Sequence, residues 1–231
     1  MINRQNFSIK AYLVVGPENT LGRDPLDIIR QAIEAGFSFI QVRSKEASAR
    51  ELIDLTCRTA QIIEDMGAED RVALVVNDRL DVVLAARDRG AKVDGIHVGQ
   101  SDIPVEVCRN HLGPDALVGL SADTQDLMTY VKTENVEDID YFGAGPLRFT
   151  PTKPNCGYDR EGTFHERSFG EIEELEKISQ LPLVIGGGVK LADIPGLKKT
   201  GVAGFFVVSA VAGAEDPYQA AKDLVAAWEE N

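Results

Sequence analysis

The stretch Phe39-Ile40-Gln41-Val42-Arg43-Ser44-Lys45 passes from an apolar run straight into an amide, a guanidinium and an ammonium. Alternate side chains of a strand share a face, so Gln41, Arg43 and Lys45 would point the same way. Such a pattern fits either a solvated sheet face or a site that collects negative charge. Two carboxylates follow later apolar runs, Asp78 in Val76-Asn77-Asp78 and Asp102 in Gly99-Gln100-Ser101-Asp102. Taken singly, each reads equally as a helix cap or a surface charge. A carboxylate pair opposite cations suits Mg2+, which binds through one or two carboxylates, water and substrate phosphates. With Lys153 added, the cations exceed what one monophosphate needs. A diphosphate chelating the metal fits this group.

A second group has a different chemistry. Gly186-Gly187-Gly188 ends one apolar run and Val208-Ser209-Ala210 ends another. Bare backbone N–H groups at such turns can cradle a phosphate, while each glycine alone also serves a turn of positive φ. Thr150 and Thr152, in Gly145-Pro146-Leu147-Arg148-Phe149-Thr150-Pro151-Thr152-Lys153, offer hydroxyls to the same anion or simply turn the chain. The residues thus divide into two anion sites. His97 lies inside an apolar run and reads as a packed core residue rather than a catalyst, and His111 and His165 read as surface positions. No Ser-His-Asp set and no base with an evident partner appears. That points to chemistry driven by a leaving group rather than by a protein nucleophile.

The elements that must position these residues alternate along the chain. Short apolar runs at Ala11–Val15, Phe39–Val42, Val72–Val76, Gly95–Val98, Leu117–Leu120, Tyr141–Ala144, Leu183–Ile185 and Gly204–Val208 predict eight strands. Between them lie amphipathic segments. Ser48–Met66 opens with the capping box Ser48-x-x-Glu51, and the last helix opens with Asp216-Pro217. A helix around Leu191–Thr200 is interrupted by Pro195 and Gly196. Eight strand–helix units without a linker predict an α/β fold, a single (β/α)8 TIM barrel spanning 1–231. A doubly wound sheet would call for a GxGxxG after its first strand, which is lacking. In such a barrel the chemistry sits at the C-terminal strand ends, where both residue groups fall.

The chain has 231 residues, 44% hydrophobic and 26% charged, as in soluble globular proteins. Its formal net charge of −13 argues against nucleic acid or an anionic membrane as partner. No apolar run reaches the roughly 18 residues of a membrane span, and the start, MINRQNFSIK, lacks the apolar core of a secretion signal. The three cysteines are widely spaced without a CxxC, so reduced thiols in a cytoplasmic protein are expected, with no Cys/His metal cluster.

Seven strings in order, QVRSK, VNDRLDV, DGIHVGQSD, GLSADT, GPLRFTPTK, IGGGV and VVSAV, resemble the thiamine-phosphate synthase (thiamine-phosphate pyrophosphorylase) family from about Ala11 to Pro217. The resemblance implies an enzyme joining hydroxymethylpyrimidine diphosphate to thiazole phosphate with Mg2+, giving thiamine phosphate and pyrophosphate. It assigns Gln41, Val42, Arg43, Ser44, Lys45, Asn77, Ser121 and Lys153 to the pyrimidine diphosphate. Asp78 and Asp102 would hold the metal. Thr150, Pro151, Thr152, Gly188, Val208 and Ser209 would hold the thiazole phosphate. Arg43, Lys45, Lys153 and Ser121 would carry the chemistry, a dissociative loss of pyrophosphate followed by capture by the thiazole nitrogen. A homodimer is implied by resemblance alone. Two departures stand out. Ala122 replaces a histidine common in the family, and the stretch 154–169 is longer than the family pattern, as a lid or a surface loop. The rival readings are a thiazole tautomerase-like isomerase, which would lack parts of the diphosphate set, and a non-catalytic phosphate-ligand sensor.

Overall fold

A computed structural model of the chain describes residues 2–121, 131–132, 135–150, 157–158 and 162–230. Eight parallel strands close a barrel in sequence order: β1 Ala11–Val15, β2 Phe39–Val42, β3 Ala73–Asn77, β4 Gly95–Gly99, β5 Leu117–Ser121, β6 Tyr141–Ala144, β7 Leu183–Ile185 and β8 Gly204–Val207. This is the expected (β/α)8 barrel. Strands β3, β4 and β5 each run one residue past the apolar runs, because Asn77, Gly99 and Ser121 still pair with their neighbours: Asn77 with His97, Gly99 with Ser121, and Ser121 with Gly143. The polar site residues therefore belong to the ladder itself.

Period two divides the barrel into two cores. Outward residues such as Leu13, Val15, Ile40, Val42, Leu74, Val76, Val98, Val118 and Phe142 pack under the helices. Inward residues Tyr12, Val14, Phe39, Ala73, Val75, Leu117, Tyr141 and Val184 fill the barrel. Large inward side chains need small neighbours on adjacent strands. A Cβ on Gly119 would lie 2.2 Å from the Tyr141 ring, and one on Gly186 would lie 2.1 Å from Phe206.

The helices begin where the sequence signals them. Ser48 and Glu51 form a reciprocal capping box on the helix Ala49–Asp65, and Asp216 caps the helix Pro217–Glu229 by accepting from Gln219 N at 2.9 Å. The segment after β7 is a 3-10 turn, Leu191–Asp193, followed by the helix Ile194–Lys199. Pro195 sits in that helix's first turn, where its missing N–H costs nothing. No helix among the described residues is long and apolar enough to cross a membrane.

At the N-terminal end of the barrel, Asp140 ties three parts of the chain together. Its carboxylate accepts from Arg4 Nε at 2.8 Å, Arg109 Nη2 at 2.7 Å and Val118 N at 2.7 Å, and its side chain is 2% exposed. Removing one partner of a buried ion pair leaves uncompensated charge, at a cost of about 3–5 kcal/mol. Asp140→Ala should lose stability on that scale in urea unfolding at neutral pH. A loss below about 1 kcal/mol, the range of an exposed pair, would contradict this role.

Candidate active site

A cavity of about 450 Å3 opens at the C-terminal end of the barrel, with Gln41, Arg43, Lys45, Asn77, Asp78 and Asp102 on one side. Thr150, Gly186–Gly188, Val208 and Ser209 line the other, and Ser121 and His97 lie on the same cavity wall. The two groups singled out by residue type thus share one mouth. Lys153, Pro151 and Thr152, as well as Ala122, lie outside the described residues. Val42 and Ser44 do not line the cavity. Val42 faces outward into the helix-packed core, and Ser44 is engaged by the loop that follows β2.

That loop is held from below by Glu18, a residue the sequence did not single out. The Ser44 hydroxyl donates to Glu18 Oε1, and the same oxygen accepts from Lys45 N at 3.1 Å and Glu46 N at 3.2 Å. Burial would push the Glu18 carboxyl up, but these donors outweigh it and hold the group below its usual value. Its contribution to stability is therefore present above the unfolded pKa and lost as pH falls through the folded one. Gly16 makes room, since a Cβ there would lie 1.7 Å from Arg43 O. Glu18 thus fixes the backbone from which Arg43 and Lys45 project.

The carboxylates lie beside these cations. Lys45 Nζ is 2.5 Å from Asp78 Oδ2, and Asn77 Nδ2 donates to the same oxygen at 2.6 Å. Asp78 has φ +60°, a left-handed conformation that short polar side chains tolerate best. Its N–H donates to His97 O at 2.8 Å, so β4 locks the turn that aims the carboxylate. Asp102 accepts from Gly99 N at 2.8 Å. Burial pushes the Asp102 carboxyl up; the Gly99 N–H opposes that, and the neighbouring Asp78 carboxylate adds to it. Two neighbouring carboxylates, both hard oxygen donors, fit a divalent cation. Among the described residues no cluster of three or more His, Cys, Asp or Glu side chains is formed. A metal here would complete its shell with water and phosphate oxygens, as Mg2+ does. Arg43 has no carboxylate partner among the described residues, which leaves its guanidinium available to an anion.

The glycine side is also braced. Arg148 binds Asp193 through two contacts, Nη1 to Oδ2 at 2.5 Å and Nη2 to Oδ1 at 2.8 Å, and its Nη1 donates to Gly188 O at 2.6 Å. Asp193 accepts in addition from Lys190 N at 2.7 Å. Gly188 has φ +75°, and a Cβ there would lie 2.4 Å from Arg148 Cγ. Val208, φ −120° and ψ −84°, starts the short helix Ser209–Ala212, whose first N–H groups have no preceding turn to donate to. From the stretch 154–169, the described Gly157 lines the cavity and Tyr158 pairs with Phe164 in an antiparallel bridge. The Phe149 and Phe164 rings meet edge-on at 5.9 Å.

If Glu18 fixes the loop that carries Arg43 and Lys45, Glu18→Ala should weaken Mg2+–pyrophosphate binding about tenfold, ~1.4 kcal/mol, by calorimetry. Unchanged affinity would show that the loop holds its shape without Glu18.

The family model described as thiamine monophosphate synthase matches residues 11–211. The thiamine-phosphate synthase of Corynebacterium efficiens is 40% identical over 205 residues, covering 89% of this chain and 89% of its own. That of Vibrio parahaemolyticus is 36% identical over 198 residues, covering 86% and 88%. A solved thiamine phosphate pyrophosphorylase from Pyrococcus furiosus superposes with a TM-score of 0.75 at 26% identity, over 96% of each chain. A 3-hexulose-6-phosphate synthase, 18% identical with a TM-score of 0.61 over 94% of this chain and 99% of its own, shares the barrel fold. With the match running from the first strand to the helix after the last, the chain belongs to the thiamine monophosphate synthase family.

Proposed function

We propose that this chain is a thiamine-phosphate synthase whose substrates meet in the barrel-mouth cavity. It joins 4-amino-2-methyl-5-hydroxymethylpyrimidine diphosphate to thiazole phosphate and releases pyrophosphate. One observation carries the placement: a cation and carboxylate side and a glycine cradle face each other across a single cavity. In this reading Arg43 and Lys45, with Lys153, bind the diphosphate. Gln41 and Asn77 face the pyrimidine, and Ser121 lies beside it. Thr150, Gly188, Val208 and Ser209, with Pro151 and Thr152, hold the thiazole phosphate. Val42 and Ser44 belong to the diphosphate strand and loop as supports behind the site.

The bond from the pyrimidine methylene carbon to the diphosphate oxygen breaks, and its electron pair leaves with pyrophosphate. The electron-rich aminopyrimidine stabilises the resulting cation, and the thiazole nitrogen lone pair then forms the new C–N bond. Arg43 and Lys45 meet charge as it grows on the leaving group, an effect that preorganised donors supply without reorganising. Asp78 and Asp102 would hold Mg2+, which neutralises further charge on the diphosphate. Lys45, 2.5 Å from Asp78, keeps that carboxylate compensated in the absence of the cation. The glycine side fixes the thiazole so that its nitrogen faces the reacting carbon, the positioning part of the rate. We read the protein as a single-domain cytoplasmic enzyme, and as a homodimer by analogy with its family.

Pyrophosphate release should require both substrates and stop with EDTA. Arg43→Ala should lower kcat about 10²–10³-fold, the usual loss for one transition-state donor. Release from the pyrimidine diphosphate alone, or release indifferent to EDTA, would contradict the mechanism. Bound thiazole phosphate without any release would indicate a tautomerase or a sensor instead.

A further inference from the structure

A continuous chain of polar side chains crosses the barrel interior beneath the cavity. Gln41 Nε2 donates to the Tyr12 hydroxyl. Tyr12 and Tyr141 hydroxyls are 3.2 Å apart, Tyr141 OH is 3.0 Å from His97 Nδ1, and His97 Nε2 is 2.8 Å from Ser121 Oγ. Five strands contribute; Gln41, Tyr12, His97 and Ser121 line the cavity floor and wall, and Tyr141 lies beneath. Tyr12 and Tyr141 are 1% and 0% exposed, and their hydroxyls find their partners within this chain. Gly119 admits the middle of the chain, since a Cβ there would lie 2.4 Å from Tyr141 OH and 2.5 Å from His97 Nδ1.

The bonds have a direction. Tyr12 oxygen accepts from Gln41, so its own proton goes to Tyr141 oxygen. Tyr141 then donates to His97 Nδ1, which makes Nδ1 the acceptor and puts the imidazole hydrogen on Nε2. His97 Nε2–H donates to Ser121 Oγ, and the Ser121 hydroxyl hydrogen is left for the cavity. With Gln41 Nε2 as the donor, the opposite direction would bring Gln41 and Tyr141 together onto Tyr12 oxygen and leave the Tyr12 proton no acceptor in the chain. A buried donor without an acceptor is destabilising, so the Gln41 amide orientation selects the first direction. Burial pushes both tyrosines well above their ordinary range, so each keeps the proton that the chain requires.

We infer that Tyr12, Tyr141 and His97 are positioning residues that set the polarity of the pyrimidine site: an acceptor, Gln41 Oε1, at one end and a donor, the Ser121 hydroxyl, at the other. This rests on the proposed location of the pyrimidine. With its Nε2 on the Tyr12 hydroxyl, Gln41 presents its carbonyl to the substrate's exocyclic amine. A 4-oxo analogue, with a carbonyl where the amine stands, would meet that carbonyl oxygen to oxygen. A site built to bond an N–H rejects a ligand that lacks it far more strongly than an apolar pocket rejects a change of shape.

The test compares kcat/KM for the 4-amino pyrimidine diphosphate and its 4-oxo analogue, which carry the same leaving group. The wild type should prefer the amine at least about a hundredfold, and Tyr12→Phe should cut that preference about tenfold with the KM for thiazole phosphate unchanged. A preference unchanged in folded Tyr12→Phe would overturn the inference. Should the variant not fold, 15N NMR of the histidine-labelled wild type decides: the Nε2–H tautomer of His97 supports the chain direction, and the Nδ1–H tautomer overturns it. No turnover of the amine by the wild type would overturn the functional reading, a result distinct from turnover without discrimination.

Discussion

A closed parallel barrel gives its inward side chains one narrow interior, and every strand must share it. This steric constraint organises the molecule. Strands alternate a residue that fills the interior with one that packs under the helices, and the last inward residue of each strand faces the mouth. In this chain the filling layer is aromatic, Tyr12, Phe39 and Tyr141, with the Tyr12 and Phe39 rings 4.4 Å apart. The next layer up, Gln41, Asn77, His97 and Ser121, carries polarity into the cavity. Glycines at positions 119, 143 and 186 allow such bulk on neighbouring strands. Chemistry at the mouth therefore depends on packing one layer below it.

The same constraint explains how an acidic protein holds an anion. The formal net charge of −13 would repel a diphosphate at long range. At the mouth, two loops project cations and bare N–H groups inward, and each is fixed by a carboxylate set behind it. Glu18 holds the loop after β2, and Asp193 holds Arg148, which in turn holds Gly188. The negative charges close to the site thus serve to orient positive ones. Asp78 and Asp102, by contrast, face the cavity, with the Lys45 ammonium beside Asp78.

Much of this was legible in the sequence. Apolar β-branched runs and capping residues marked the strands and the starts of helices, because those signals are local. That the polar residues at the strand ends face one cavity was legible too, since period two and barrel geometry together say which way they point. What stayed hidden depends on contacts between distant positions. Ser44 and Glu18 are 26 residues apart, His97 and Tyr141 are 44 apart, and Arg4 and Asp140 are 136 apart. Tyr12 and Tyr141 look like any core aromatic until their hydroxyls are seen to meet. Likewise His97 reads as packed core, and it is buried, yet its ring reaches the cavity wall and bonds to Ser121. Period two also set Val42 on the face opposite Gln41, where it packs outward.

The central claim is that one mouth holds two anions on opposite sides. A crystal structure with Mg2+, pyrophosphate and thiazole phosphate tests it most directly. The account predicts pyrophosphate against Arg43 and Lys45, the metal on Asp78 and Asp102, and the thiazole phosphate on the N–H groups of Gly188 and Ser209. Pyrophosphate in the glycine cradle, with the metal away from both aspartates, would contradict it.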